Sequence, residues 1–87
     1  PENGVLTEIT IWIDPDMVPY LRTKPLHASQ RGPFRSDDNW TLTIQVIPNY
    51  ELFKVLLSLG SAIKVISPEH IQQKMVEELS GAMNQYK

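Results

Sequence analysis

The nine residues from Val5 to Ile13 read V-L-T-E-I-T-I-W-I, and this run constrains the fold more than any other part of the chain. Val5, Thr7, Ile9, Ile11 and Ile13 fall on one side of an extended backbone, and Leu6, Glu8, Thr10 and Trp12 on the other. Period-two alternation rich in β-branched residues predicts a strand with one apolar face. Such a strand needs neighbours for its backbone groups and a layer over that face. Trp40 to Val46, W-T-L-T-I-Q-V, repeats the pattern and predicts a second strand of the same kind, with Trp40, Leu42 and Ile44 toward the core.

The covering layer is also written in the sequence. Asp14-Pro15-Asp16 supplies an N-cap, a proline suited to a first helical turn and a carboxylate at the positive end of the helix dipole. Pro19 removes a donor just beyond, so the helix over 15–22 is expected to be short or distorted, burying Met17, Val18 and Leu21. Asn49 caps a helix running to Leu59, with Leu52, Leu56 and Leu59 on one side and Gly60 as its left-handed terminator. Leu26 to Arg31 alternates and predicts a strand. Gly32-Pro33 and Ser36-Asp37-Asp38-Asn39 then read as a long polar hairpin loop. Ala62 to Ile66 predicts a covered strand. Ser67-Pro68-Glu69 opens a last helix whose apolar residues Ile71, Met75, Leu79, Ala82, Met83 and Tyr86 recur at intervals of three and four.

The order strand, helix, strand, strand, helix, strand, helix predicts an α+β fold, a ferredoxin-like βαββαβ sandwich with an additional C-terminal helix. Right-handed crossovers place strands one and three centrally and both helices on one face. The opposite face is expected to carry Trp12, Thr10, His27, Ser29, Arg31, Thr41, Thr43 and Gln45. The terminal helix is the expected cover for it, within the chain or on a second copy.

With 87 residues, one core is possible and two are not, so residues 1–87 are expected to form a single domain. The absence of cysteine excludes disulfide scaffolds, thiolate metal sites and Cys nucleophiles, and suggests an intracellular, cytoplasmic location. No apolar run approaches the ~20 residues that span a bilayer, and no signal peptide is evident. A start at Pro1 suggests a piece of a longer chain.

Charge is informative in its distribution. Residues 1–16 carry Glu2, Glu8, Asp14 and Asp16 and no base, whereas 17–36 carry Arg22, Lys24, Arg31 and Arg35 and no acid. With a pI near 5.6 the chain is not expected to grip duplex DNA alone, although the basic island suits a phosphate or other small anion. No catalytic constellation is apparent and no enzyme is expected. The two imidazoles, His27 and His70, share no metal-ligand spacing, no glycine-rich phosphate loop is present, and no cofactor is expected.

His27-Ala28-Ser29-Gln30-Arg31 holds the densest chemistry: an imidazole, a hydroxyl, an amide and a guanidinium. On a strand, His27, Ser29 and Arg31 would share a face able to bind an anion or a base edge. The structural alternative is that Ser29 and Gln30 satisfy hairpin backbone while His27 stacks on an aromatic. Trp12, on the open face, could stack a base or anchor an interface.

The ordered set L-x-T-K-P-L-H-A-S-Q at 21–30, W-T-L-T-I-Q-V, E-L-x-x-x-L-L-S-L-G at 51–60, I-K-V-I-S-P at 63–68 and a closing helix ending in Tyr86 resembles the WCX domain. This is the C-terminal extension of bacterial WYL-domain transcriptional regulators. The resemblance implies a ferredoxin-like fold following a WYL domain and an N-terminal winged helix-turn-helix in one parent chain. It implies a part in dimer contacts and effector response, with a nucleotide or single-stranded nucleic acid as a possible effector. His27, Ser29 and Gln30 match the family's H-x-S-Q element, with Arg22 at a basic position shortly before it. The expected contact residues are Arg22, His27, Ser29, Gln30, Arg31 and Trp12. The competing expectations are a dimerisation module without a ligand and a stand-alone single-stranded nucleic-acid binder.

Overall fold

A computed structural model describes residues 4–87, so Glu2 of the N-terminal acidic group lies outside the described residues. The chain is a mixed α+β fold: a four-stranded antiparallel sheet and three helices. Strand β1 (Thr7–Ile13) pairs with β3 (Asn39–Val46) and with β4 (Ile63–Ser67), while β2 (Arg31–Ser36) pairs with the outer side of β3. The order across the sheet is β2-β3-β1-β4, with β1 and β3 central as expected.

Alternation places the core. Ile9, Ile11 and Ile13 stand opposite Ile44, Leu42 and Trp40 on β3, and Ile11 and Ile13 stand opposite Val65 and Ile63 on β4. These side chains form one apolar face, and all three helices pack on it. Asp14 caps a 3-10 turn, Pro15–Met17, by accepting the Asp16 amide at 2.9 Å. Helix α1 (Val18–Thr23) follows at only six residues, with Pro19 in its first turn and Pro25 holding its C-cap Lys24 out of the helical region, and buries Val18 and Leu21. Asn49 Oδ1 accepts the Leu52 amide at 2.8 Å to start α2 (Tyr50–Ser58), which buries Phe53 and Leu56. Gly60, with φ +56°, ends this segment in the left-handed region, where glycine carries no Cβ penalty. Helix α3 (Glu69–Asn84) contributes Ile71 and Met75 to the same core. It therefore shares the face of α1 and α2, and the opposite sheet face keeps access to solvent.

Two expectations are corrected. The second strand is Arg31–Ser36 instead of Leu26–Arg31, and residues 26–30 form a turn. Apolar-polar alternation there imitates a strand, but the His27, Ser29 and Gln30 side chains bind nearby backbone and hold the chain off the ladder. The hairpin is also tight where a long loop is expected. Ser36 pairs with Asn39, leaving Asp37 and Asp38 as the connection, with Asp37 at φ 57°, a conformation aspartate tolerates. A bulge between Arg31 and Phe34 admits Pro33 to the strand. Within it, Gly32 has φ +96°, and a Cβ would lie 3.0 Å from the Thr41 carbonyl oxygen.

Candidate functional site at the His27–Gln30 turn

Side chains build the connection from α1 to β2. The Gln30 amide donates to the His27 carbonyl at 3.0 Å, closing the turn. Gln30 Oε1 accepts the Leu26 amide at 2.8 Å, and its Nε2 donates to the carbonyls of Leu21 at 3.1 Å and Gly32 at 3.2 Å. One half-buried amide thus ties the end of α1, the turn and the start of β2 together. Ser29 Oγ accepts the Gln45 amide at 2.8 Å, so the hydroxyl supplies the acceptor that β2 no longer offers to the end of β3.

The same serine orients the imidazole. Its amide donates to His27 Nδ1 at 3.0 Å, and its Oγ lies 2.8 Å from that nitrogen. The same oxygen receives the Gln45 amide, so one hydroxyl holds both the ring and the end of β3. With the Ser29 amide aimed at it, Nδ1 serves as an acceptor, and Nε2 is the ring's other polar atom. Nε2 has no hydrogen-bond partner among the described residues. The expected alternative for this run holds for Ser29 and Gln30, which satisfy backbone groups, while the imidazole binds Ser29 instead of stacking on an aromatic ring.

His27 also lines a cavity of about 460 Å³ at this end of the sheet, whose apolar wall includes Leu6, Leu26, Ile47, Leu52 and Val55. The open sheet face is laid out rung by rung. Gln45 pairs with Glu8; two residues along β3, Thr43 pairs with Thr10 and, on its other side, with Arg31. Two residues further, Thr41 pairs with Trp12 and Phe34, and Trp12 pairs with Lys64. Phe34, Thr41, Trp12 and Lys64 thus form one rung across all four strands. At about 3.4 Å per residue, the distance from this rung to that of Gln45 is roughly 14 Å. Phe34 is 65% exposed, and Arg31 and Lys64 make no ion pair among the described residues.

The structure gathers His27, Ser29 and Gln30 in the turn at one end of the sheet, and puts Arg31 and, further along, Trp12 on the open face. Arg22 is elsewhere. Its guanidinium lies 5.4 Å from the centroid of Trp40, on the helix-covered side, and Trp40 packs against the core as expected. The basic island also divides, because Arg35 is held by Asp38 at 3.2 Å and by the Asp37 carbonyl. Sequence reasoning missed Phe34 and Lys64. The signal for Phe34 was the Asp37-Asp38 pair read as a two-residue turn, which makes Gly32 to Ser36 a strand.

Among the described residues no group of three or more His, Asp or Glu side chains is placed to hold a metal ion, and no helix is long and apolar enough to cross a membrane. Curated protein sequences give no match. The family model of the WCX domain matches residues 6–83, nearly the whole chain and every strand and helix described above, save the last residue of α3. The chain belongs to the WCX domain family.

Proposed function

We propose that this domain is the effector-response and oligomerisation module of a WYL-type bacterial transcriptional regulator, acting in the cytoplasm and without enzymatic activity. Its fold is ferredoxin-like with an added C-terminal helix, a reading supported by the central position of β1 and β3 and by helices on one face. The effector is a nucleotide or a short single-stranded nucleic acid received on the open sheet face. The partners in this reading are the WYL domain and the winged helix-turn-helix of the same parent chain, and a second copy. Duplex DNA is left to the winged helix-turn-helix, and no membrane is involved.

One observation carries the effector half. Aromatic rings and free cations follow each other along one uncovered face: Phe34 and Trp12 on a rung ending in Lys64, then Arg31, with the oriented His27 imidazole in the turn just before the Arg31 strand, beside the cavity at the α2 end of the sheet. Bases stack on aromatic rings, guanidinium and ammonium groups hold phosphates, and an imidazole nitrogen hydrogen-bonds a base edge or a phosphate. His27 also belongs to the turn that joins α1 to β2, so a ligand touching it acts on that joint.

The test uses the complete regulator and a short single-stranded oligonucleotide as probe. Operator affinity is expected to change on adding the probe, and His27→Ala combined with Arg31→Ala is expected to abolish that change with the circular dichroism spectrum unaltered. An operator affinity that responds equally in the double variant would refute the site. A wild-type regulator indifferent to the probe would leave the purely structural dimerisation module as the better account.

A further inference from the structure

Helices α2 and α3 enclose a second cavity of about 460 Å³, whose walls come from the two helices and the cap of α2, with no residue of the sheet among them. Phe53, 6% exposed, and the half-buried Leu57 give it an apolar wall, and Tyr50, 75% exposed, stands at its rim. Two lysines border it, one from each helix. Lys54 on α2 holds its ammonium 5.5 Å from the centroid of the Tyr50 ring, and Lys74 on α3 holds its own 6.0 Å from the centroid of Phe53. Each ammonium is thereby drawn over an aromatic ring of the groove instead of extending into solvent.

The polar groups lining this space are mostly donors. Lys54 makes no ion pair among the described residues, and Lys74 meets only Glu78, at 3.8 Å, an exposed pair that costs little to break. The Tyr50 hydroxyl has no hydrogen-bond partner among the described residues. Asn49 spends its Oδ1 on the Leu52 amide, which leaves its Nδ2 hydrogens to donate. Two ammoniums against one carboxylate give the groove an excess of one positive charge, in a chain whose net charge is -2.

We infer that the groove between α2 and α3 is a binding site for a small aromatic monocarboxylate, with its ring against Phe53 and Leu57 and its carboxylate received by the Lys54 and Lys74 ammoniums. The charge selects the ligand. One carboxylate neutralises the excess of one, whereas a phosphate dianion brings a second negative charge beside Glu78. An ammonium is a point charge without the planar fork of arginine, so it takes a single carboxylate oxygen from a range of directions. A cavity of this volume falls in the range of about 300–1,000 Å³ that holds small molecules, and one or two fused rings suit its apolar wall. For about thirteen non-hydrogen atoms in an open groove, the dissociation constant is on the order of 1 mM.

This site shares no residue with the open sheet face and stands independently of the effector reading above. The experiment is an amide-shift titration of the isotope-labelled 87-residue chain with naphthoate. It is repeated with naphthalenemethanol, which keeps the rings and lacks the charge, and with naphthyl phosphate, which carries the larger charge. Saturable shifts are expected at residues 49–57 and 74–78, with naphthoate bound at least about tenfold more tightly than the alcohol and more tightly than the phosphate. Lys54→Met and Lys74→Met keep the stem and remove the charge. Each, checked for folding by circular dichroism, is expected to weaken naphthoate at least about threefold and to leave the alcohol unchanged. Glu78→Gln removes the competing carboxylate and is expected to tighten naphthoate about two- to threefold. No shift at millimolar naphthoate, shifts centred outside the groove, or an alcohol bound as tightly as the acid overturns the site. Naphthoate affinity unchanged in both lysine variants overturns it as well, and tighter binding of the phosphate overturns the assignment to a monocarboxylate.

Discussion

Replacing Gln30 by methionine tests whether the H-x-S-Q turn is held as described. The side chain keeps its length and volume but loses all three hydrogen bonds, to the Leu26 amide and to the Leu21 and Gly32 carbonyls. Each such bond contributes about 0.5–1.5 kcal/mol net. The site is half-buried, so water re-solvates part of what is exposed and the loss falls below the full sum of three. A destabilisation of about 2 kcal/mol follows, equivalent to a fall in Tm of roughly 8–16 °C for a domain of this size. Urea denaturation followed by far-UV circular dichroism and by tryptophan fluorescence measures it, and coincident transitions establish two-state behaviour. Amide hydrogen exchange supplies the local readout, because the Leu26 amide loses its acceptor and is expected to exchange faster than in wild type. Gln30→Glu retains that acceptor, loses both donors and aims a carboxylate at two carbonyls, so it is expected to fall at least as far. A Gln30→Met variant within 0.5 kcal/mol of wild type, with Leu26 exchange unchanged, refutes the turn as a structural tie.

Other residues give independent checks. Gly32→Ala forces a left-handed residue to carry a Cβ against the Thr41 carbonyl and the Phe34 amide, and is expected to cost more than about 1 kcal/mol in a urea melt. Asn49→Ala removes the cap of α2 and is expected to cost about 1 kcal/mol, measured the same way. Ile11→Ala, at the centre of β1 and fully buried, is expected to cost about 2–5 kcal/mol and to leave the domain largely unfolded on warming. Phe34→Ala, at an exposed position on the edge strand, is expected to leave the melt within about 0.5 kcal/mol of wild type while weakening oligonucleotide binding by about 1–3 kcal/mol in a fluorescence titration.

The sequence made the central frame legible wherever one force dominated locally. Ile9, Ile11 and Ile13, and Leu42 and Ile44, alternate because each strand is covered on one side, and their burial follows the pattern. Asp14 and Asn49 cap as read because a side-chain oxygen meeting an orphan amide is a contact within three residues. The second strand was misplaced because Leu26 to Arg31 has strand-like alternation but spends its polar groups on its own backbone, a competition that periodicity does not reveal. In α3 periodicity identified the apolar residues but not their destinations: Ile71 and Met75 face the core, and Leu79, Met83 and Tyr86 face solvent. Of the candidate site, Trp12 and Arg31 were legible as residues of the open face. Phe34 and Lys64 were not, because their alignment with Trp12 depends on the register of three strand pairs.

The most direct test of the regulatory reading is an amide-shift titration of the isotope-labelled 87-residue chain with a short single-stranded oligonucleotide at low and moderate salt. Saturable shifts are predicted at residues 26–34, around Trp12 and at Thr41 to Gln45, weakening as salt releases the phosphate contacts of Arg31 and Lys64. Shifts confined to the helix-covered side, or none at millimolar oligonucleotide, would contradict the assignment of an effector site to the open sheet face.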